Sequence, residues 1–213
     1  MPLLPQHGFA RTSPFRLLQV NEPDNDNTEV VLQLKNSPES LHLWPLHFEI
    51  QVHINIAASL RITLTTVNHD STPMTISAAL HSYFAVSDIE NISVKGLENT
   101  TYWDALTNEI RTQNGIVTIN KATDRVYQNV YDTIVIGDHN RQIDINSQGS
   151  GSAIVWNPWI DKSRAMSDMT ANSYKTMLCI ETANAREDKR KIAPGKSHSL
   201  TAILSSRQLL QDG

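Results

Sequence analysis

The sequence lacks several features that would assign it to common classes of protein. It has one cysteine among 213 residues, Cys179, which excludes an internal disulfide. Lys and Arg total 18 against 22 Asp and Glu, so the basic excess expected of a nucleic-acid binder is missing. Apolar runs are interrupted every few residues and stay far below the roughly 18 to 20 residues of a membrane-spanning helix. We therefore expect no nucleic-acid partner and no membrane partner.

Two further absences bear on phosphate binding and on location. Neither G-x-G-x-x-G nor G-x-x-x-x-G-K occurs, so a glycine-rich phosphate loop is not expected. The first seven residues, MPLLPQH, do not combine a basic region with an apolar one as a secretory signal does. With the single cysteine, this predicts a reducing, cytoplasmic setting. The sequence does not indicate an oligomeric state.

The dominant pattern in the chain is an alternation of apolar and polar residues. From His47 to Ile56 the apolar side chains occupy every second position, and Ser59 to Asn68 repeats the pattern after a two-residue link. This period is typical of half-buried strands. Further strands are predicted at 15–20, 29–35, 74–80, 92–94, 116–119, 133–136, 142–145, 153–156, 175–182 and 197–204.

About a dozen short strands separated by turn residues predict an all-β protein, an antiparallel β-sandwich. No convincing amphipathic helix is found, and the polar stretch Asp161 to Ser173 is interpreted as a loop with a helical turn. At 39% hydrophobic and 19% charged residues, and without a linker or an internal repeat, residues 1–213 are predicted to form a single domain.

Five short motifs contain residues that could carry chemistry. Each also has a purely structural interpretation, such as a buried histidine bonded to backbone or a solvated loop arginine. Trp faces can stack on the apolar faces of sugar rings, and Arg matches phosphate with two parallel hydrogen bonds. The motifs are His-Gly-Phe-Ala-Arg (7–11), Leu-His-Ser-Tyr-Phe (80–84), Thr-Asp-Arg-Val-Tyr (123–127), Trp-Asn-Pro-Trp (156–159) and Cys-Ile-Glu-Thr-Ala (179–183).

Two other kinds of site have little support in the spacing. The eight histidines include His47 and His53 on one strand face, but no His-x-His or Cys-rich pattern suited to a metal is present. A Cys179 nucleophile activated by His81 is formally open, although Cys179 lacks a local signature for that role.

In this order, the five motifs resemble those of the glucose-6-phosphate 1-epimerases, or hexose-6-phosphate mutarotases, a branch of the aldose 1-epimerase (galactose mutarotase-like) superfamily. The resemblance runs from about Gln6 to about Leu204. It implies a large antiparallel supersandwich whose concave face holds a sugar phosphate, with no metal and no cofactor.

The resemblance also implies roles for particular residues. His81 is expected as the general acid and Glu181 as the general base of sugar ring opening and closure. For the substrate, His7 and Trp156 are expected to contact the sugar, Asp124 to face the same pocket and Arg11 to meet the 6-phosphate.

One departure from the family pattern leaves alternatives open. Family members carry further strands and an Arg-Gly-Gly segment ahead of the first motif, which here begins at His7. We therefore expect an N-terminally shortened sandwich with an uncovered sheet edge. A non-catalytic carbohydrate-binding sandwich and a plain aldose 1-epimerase stay open beside the sugar-phosphate enzyme.

Overall fold

The computed structural model describes residues 7–209, which form antiparallel sheets with two short α-helices and three 3-10 turns. This confirms the predicted all-β class. The strands are β1 (Arg16–Asp24), β2 (Asn27–Lys35), β3 (Phe48–Ile56), β4 (Leu60–Asn68), β5 (Met74–Ile76), β6 (Ala78–Leu80), β7 (Tyr83–Ala85), β8 (Ser93–Lys95), β9 (Thr101–Asp104), β10 (Glu109–Thr112), β11 (Thr123–Gln128), β12 (Ile134–Gly137), β13 (Arg141–Gln148), β14 (Ser152–Asn157), β15 (Met177–Asn184), β16 (Arg190–Ile192) and β17 (Ser197–Gln208).

The helices are short and lie in the connections between strands. They are α1 (Pro38–Leu43), α2 (Trp159–Ala165) and 3-10 helices at Ala10–Thr12, Ser173–Thr176 and Arg186–Asp188. None of the helices in residues 7–209 has the length and apolar character needed to cross a membrane.

The chain divides into two compact units. The first contains residues 7–76 and Arg190–Thr201, and the second contains Ser77–Lys189 and residues 202–209. The prediction of a single domain over residues 1–213 stays a prediction.

The first unit is built around a meander of long strands. Its sheet has the order β1-β2-β3-β4, followed by the first residues of β17, and β5 pairs separately with β16. The link at Ala57 closes the β3–β4 hairpin through a backbone bond to Ser59. Phe48 and Met74 lie at the centre of its core with Leu34 and Ile192. At the other end of the strand order, β1 has only β2 as a neighbour in the described chain, and all nine of its residues are exposed.

The second unit pairs two sheets around a larger core. One sheet has the order β17-β13-β12-β8, and the other has the order β10-β9-β11-β14-β15-β6, with β7 also paired to β15. Apolar side chains from both sheets, among them Ile136, Ile143, Val155, Leu178 and Ile180, meet in one buried cluster. The unit is thus a sandwich in which β15 is a central strand, buried along its whole length.

Most of the long predicted strands are present within a few residues of their expected ends. The predicted strand at 74–80 is divided into β5 and β6, and the one at 116–119 is reduced to a single bridge at Val117. The predicted loop at 161–173 overlaps α2, which already begins at Trp159. Helix α1 was not predicted, although Ser37 and Ser40 form a capping box at its start and Pro38 occupies its first turn.

Candidate active site

The candidate site lies on one face of the second unit's β15 sheet. In antiparallel strands, directly opposed residues share a face of the sheet, so the strand register shows which residues lie on this face. Tyr83 of β7 is opposite Cys179 of β15, Cys179 is opposite Trp156 of β14, and Trp156 is opposite Asp124 of β11. Glu181, two residues beyond Cys179, points to the same face. Leu178 and Ile180 point the other way, into the core.

His81 reaches this face from the short link between β6 and β7. The two strands flank the link, and the carbonyl of Ser82 accepts a hydrogen bond from the Ile180 amide. This places the imidazole beside Glu181, with 3.5 Å between His81 Nε2 and Glu181 Oε2. The structure thus brings together the two residues expected to act as acid and base.

The two partners differ in their access to solvent. The Glu181 side chain is 7% exposed, whereas the His81 side chain is 31% exposed. A carboxylate removed from water in this way is costly unless it is paired, and the imidazole provides a partner. The pair therefore consists of a buried carboxylate and a partly exposed imidazole.

Next to this pair is an aromatic surface with charged side chains at its edge. The Tyr83 ring meets the Trp156 ring edge-on, with centroids 6.2 Å apart, and Lys162 Nζ lies 5.4 Å from the centroid of the Trp156 ring. Asp124 and Trp156 line a hollow of about 170 Å³ together with Trp159 and Lys162. An indole face bordered by polar groups is well suited to a sugar ring.

The turn after Trp156 is held by a buried amide. Asn157 Nδ2 donates to the carbonyls of Tyr174 and Met177, both at 2.9 Å, and its Oδ1 accepts from the Trp159 amide at 2.9 Å. Trp159 has a left-handed φ of 58°, which is uncommon for a bulky residue. Asn157 thus fixes the turn that shapes the wall of the hollow.

Cys179 is placed for packing and not for nucleophilic attack. Burial raises the pKa of the Cys179 thiol far above its usual range, and the Glu181 carboxylate raises it further, while a hydrogen bond with Tyr83 opposes the shift. The thiolate is the reactive form, so the thiol is inert near neutral pH. The geometry gives no support to a Cys179 nucleophile.

Other predicted site residues lie in the first unit. His7 occupies a turn with φ of 66°, and Arg11 is an exposed residue of the 3-10 helix that precedes β1. A hollow of about 650 Å³ in that unit is lined by neither of them, nor by any other predicted site residue. In residues 7–209, no three His, Cys, Asp or Glu side chains are grouped to hold a metal ion.

Sequence reasoning assigned no role to several residues that border this face. Tyr83 stands inside one of the five motifs and could have been found from its position beside His81. Lys162 and Trp103 have no such signal, because they reach the face only through the fold.

The site thus consists of a buried carboxylate beside an imidazole, on an aromatic face of an antiparallel sandwich. The aldose 1-epimerase family matches residues 3–205. The chain belongs to the aldose 1-epimerase family. This confirms the resemblance and the class of enzyme that it implied, an isomerase of the epimerase type.

The chain is similar to curated relatives that share one name. It is 35% identical over 205 residues to the "Putative glucose-6-phosphate 1-epimerase" of Escherichia coli (strain K12), covering 94% of this chain and 67% of that protein. It is 33% identical over 221 residues to the protein of the same name from Cenchrus ciliaris, covering 95% of this chain and 66% of that protein. The chain thus spans about two thirds of the length of these relatives.

Solved structures agree with this fold. A crystal structure titled as a "putative mutarotase" from Salmonella typhimurium superposes with a TM-score of 0.89 at 30% identity, covering 98% of this chain and 70% of that chain. A protein from Synechocystis sp. PCC 6803 has a TM-score of 0.81 at 21% identity, covering 97% of this chain and 70% of that chain, and supports the fold alone.

Proposed function

We propose that the protein interconverts the α and β anomers of a hexose 6-phosphate by opening and reclosing the sugar ring. His81 acts as general acid and Glu181 as general base. The observation that carries this proposal is the 3.5 Å separation between His81 Nε2 and Glu181 Oε2 on an aromatic face. The family and the names of the relatives support the reaction class.

The separation suits the chemistry of an anomeric carbon. Ring opening removes the proton from the anomeric hydroxyl and adds a proton to the ring oxygen, as the bond between that oxygen and the anomeric carbon breaks. Both oxygens are bonded to the same carbon, so the base and the acid must stand close together. Closure on the opposite face of the aldehyde returns both protons.

The reaction needs no group beyond these side chains. A positioned general acid or base accelerates proton transfer by about 10²–10⁴-fold. The proposed mechanism requires that, before ring opening, His81 carries the transferable proton and Glu181 is ionised. Burial of the Glu181 side chain keeps competing water away from the base. The His81 imidazole is partly exposed and can therefore reach a bound sugar.

Trp156 and Asp124 are proposed to bind the sugar ring. They are directly opposed on β14 and β11 and both line the hollow of about 170 Å³. The indole would stack on the apolar face of the ring, and the carboxylate would accept hydrogen bonds from ring hydroxyls. His7 is proposed as a further sugar contact.

The proposal also includes a residue that binds the 6-phosphate and a location of the protein in the cell. Arg11, an exposed arginine on a 3-10 helix, is proposed to bind the phosphate, because its guanidinium can offer two parallel hydrogen bonds to a dianion. The substrate preference is also supported by the names of the relatives. A cytoplasmic location remains part of the proposal.

The test is magnetisation-exchange NMR between the anomers of glucose 6-phosphate, with and without this chain. We expect faster exchange in its presence, with glucose exchanged more slowly at the same concentration. Equal turnover of both sugars would select a plain aldose 1-epimerase. Sugar binding without faster exchange would select a carbohydrate-binding sandwich and overturn the proposal.

A further inference from the structure

An arginine of the second unit, Arg186, lies on the face that carries Glu181, above a strand three positions away in the sheet. The carbon of the Arg186 guanidinium lies over the Trp103 ring, 4.0 Å from its centroid. The register shows that Trp103 and Glu181 share a face, since Trp103 is opposite Val126, Val126 is opposite Ile154, and Ile154 is opposite Glu181. An arginine outside the five motifs is thus held on the same face as the general base.

The backbone around Arg186 is fixed by hydrogen bonds. Arg186 has a left-handed φ of 56° and begins the 3-10 helix that follows β15. Asp188 Oδ2, in the same helix, accepts from the Gly151 amide and from Asn184 Nδ2, both at 2.8 Å. Gln128 Nε2 donates to the Ala185 carbonyl at 3.3 Å, across the sheet. An uncommon backbone conformation is therefore stabilised by groups on three neighbouring segments.

The charge of Arg186 is available to a ligand. The side chain is exposed, and no carboxylate in residues 7–209 forms an ion pair with it. Contact with the indole face orients the guanidinium and leaves its N–H edge for an acceptor. Two cationic side chains lie over indole rings of this face, Lys162 over Trp156 and Arg186 over Trp103, and the exposed Arg186 guanidinium would attract an anion at the Trp103 position.

The spacing of the strands sets the length that a ligand bound between Glu181 and Arg186 would have to span. Glu181 and Trp103 are separated by three interstrand steps of about 4.8 Å, or about 14 Å between their backbones. In the ring form of a hexose 6-phosphate, the anomeric carbon and the carbon that bears the phosphate arm flank the ring oxygen, and the arm extends the phosphate away from the anomeric hydroxyl. With the anomeric hydroxyl at the Glu181 carboxylate, the sugar ring, its phosphate arm and the long Arg186 side chain would together span the distance to Trp103.

We propose that Arg186, stacked on Trp103, binds the phosphate of the sugar and contributes to the preference for phosphorylated hexoses. This inference rests on the proposed function. It assigns Arg186 a binding role and no part in proton transfer. The chemistry recognised is a phosphate monoester dianion, bound through two parallel N–H donors.

The test compares Arg186→Gln and Arg186→Lys with the wild-type chain in anomer exchange. A lost charge-assisted contact corresponds to about a tenfold or greater change in affinity. We therefore expect Arg186→Gln to raise KM for glucose 6-phosphate about tenfold or more, with kcat within threefold and glucose exchange unchanged. Arg186→Lys should be intermediate, because Lys is a point charge without the planar fork. The matched control is Arg207→Gln, another exposed arginine of the second unit.

A second measurement separates this inference from the proposed function. Inorganic phosphate is titrated into the wild-type chain and into Arg186→Gln, and binding is followed by 31P NMR line width. Weaker phosphate binding to Arg186→Gln than to the wild-type chain supports the inference, whether or not the wild-type chain exchanges anomers. If the wild-type chain exchanges the anomers of neither sugar, only the proposed function is overturned. Equal phosphate binding, no binding to the wild-type chain, or an unchanged KM for glucose 6-phosphate would overturn the inference. An equal loss of anomer exchange with glucose 6-phosphate and with glucose in Arg186→Gln would also overturn the inference.

Discussion

The Glu181 carboxylate and the Cys179 thiol occupy the same face of β15, two residues apart, and both are buried. Together with desolvation, the carboxylate keeps the thiol in its neutral form. The same strand therefore holds the carboxylate proposed as general base and an inert sulfur, two residues apart.

The inertness of Cys179 can be tested directly. Burial raises its pKa, so at pH 8 the folded protein should react with a thiol reagent at least about 100-fold more slowly than the denatured protein, whose cysteine has an ordinary pKa near 8.5. Cys179→Ala should retain anomer exchange within about threefold. Rapid modification of the native protein with loss of exchange would favour a Cys179 nucleophile.

The tight approach of two loops at Gly96 gives a prediction about stability. Gly96 has φ of 89°, and a Cβ there would lie 2.2 Å from the Thr133 carbonyl oxygen. We expect Gly96→Ala to lower the free energy of unfolding by about 2–4 kcal/mol, measured by urea denaturation. Gly115 is the matched control, since φ is 68° but nothing lies within 4 Å of a Cβ. Gly115→Ala should cost about 1 kcal/mol, and equal costs at both positions would contradict the steric explanation.

A buried carboxylate in the second unit makes stability depend on pH. Burial alone would raise the pKa of Asp138, but hydrogen bonds from the Ser87 hydroxyl and amide and from the His139 amide lower it overall, with help from Arg141. A lowered folded-state pKa stabilises the protein above the unfolded value near 3.9, and this stabilisation is lost as the pH falls.

Asp138→Asn should therefore lower the free energy of unfolding at pH 7 by about 1.5–3 kcal/mol. The difference from wild type should shrink as the pH falls below about 4. Urea denaturation at several pH values measures both effects. The control is Asp132→Asn, which alters an exposed carboxylate. A difference that stays constant down to pH 3 would show that the charge of Asp138 is not responsible.

The sequence predicts the long strands well, because alternation over nine residues identifies a half-buried strand such as β3 or β4. Strands of three or four residues, such as β7, β9, β10 and β16, carry too few positions to show a period. Helix α1 has a capping signal at Ser37, but six residues are too short to show a helical repeat.

Only part of the site was accessible from the sequence. The motifs named His81 and Glu181 through a resemblance, whereas their contact depends on the pairing of β6 and β7 with β15, which are distant in the chain. Pairing between distant segments is set by packing of the whole unit and leaves no local pattern. The stacking of Arg186 on Trp103 has the same origin, since it depends on the β9–β11–β14–β15 register.

The central claim is that His81 and Glu181 transfer the two protons of anomer exchange. Two substitutions that retain shape, Glu181→Gln and His81→Asn, each remove one of these functions. Glu90→Gln and His139→Asn are matched controls at exposed positions of the same unit. Circular dichroism and urea denaturation would check that all four variants are folded.

Magnetisation-exchange NMR on glucose 6-phosphate, with equal concentrations of each protein, is the most direct test. We expect the wild-type chain and both controls to accelerate exchange, and Glu181→Gln and His81→Asn each to lose about 10²–10⁴-fold. Wild-type exchange rates in both folded site variants would contradict the claim.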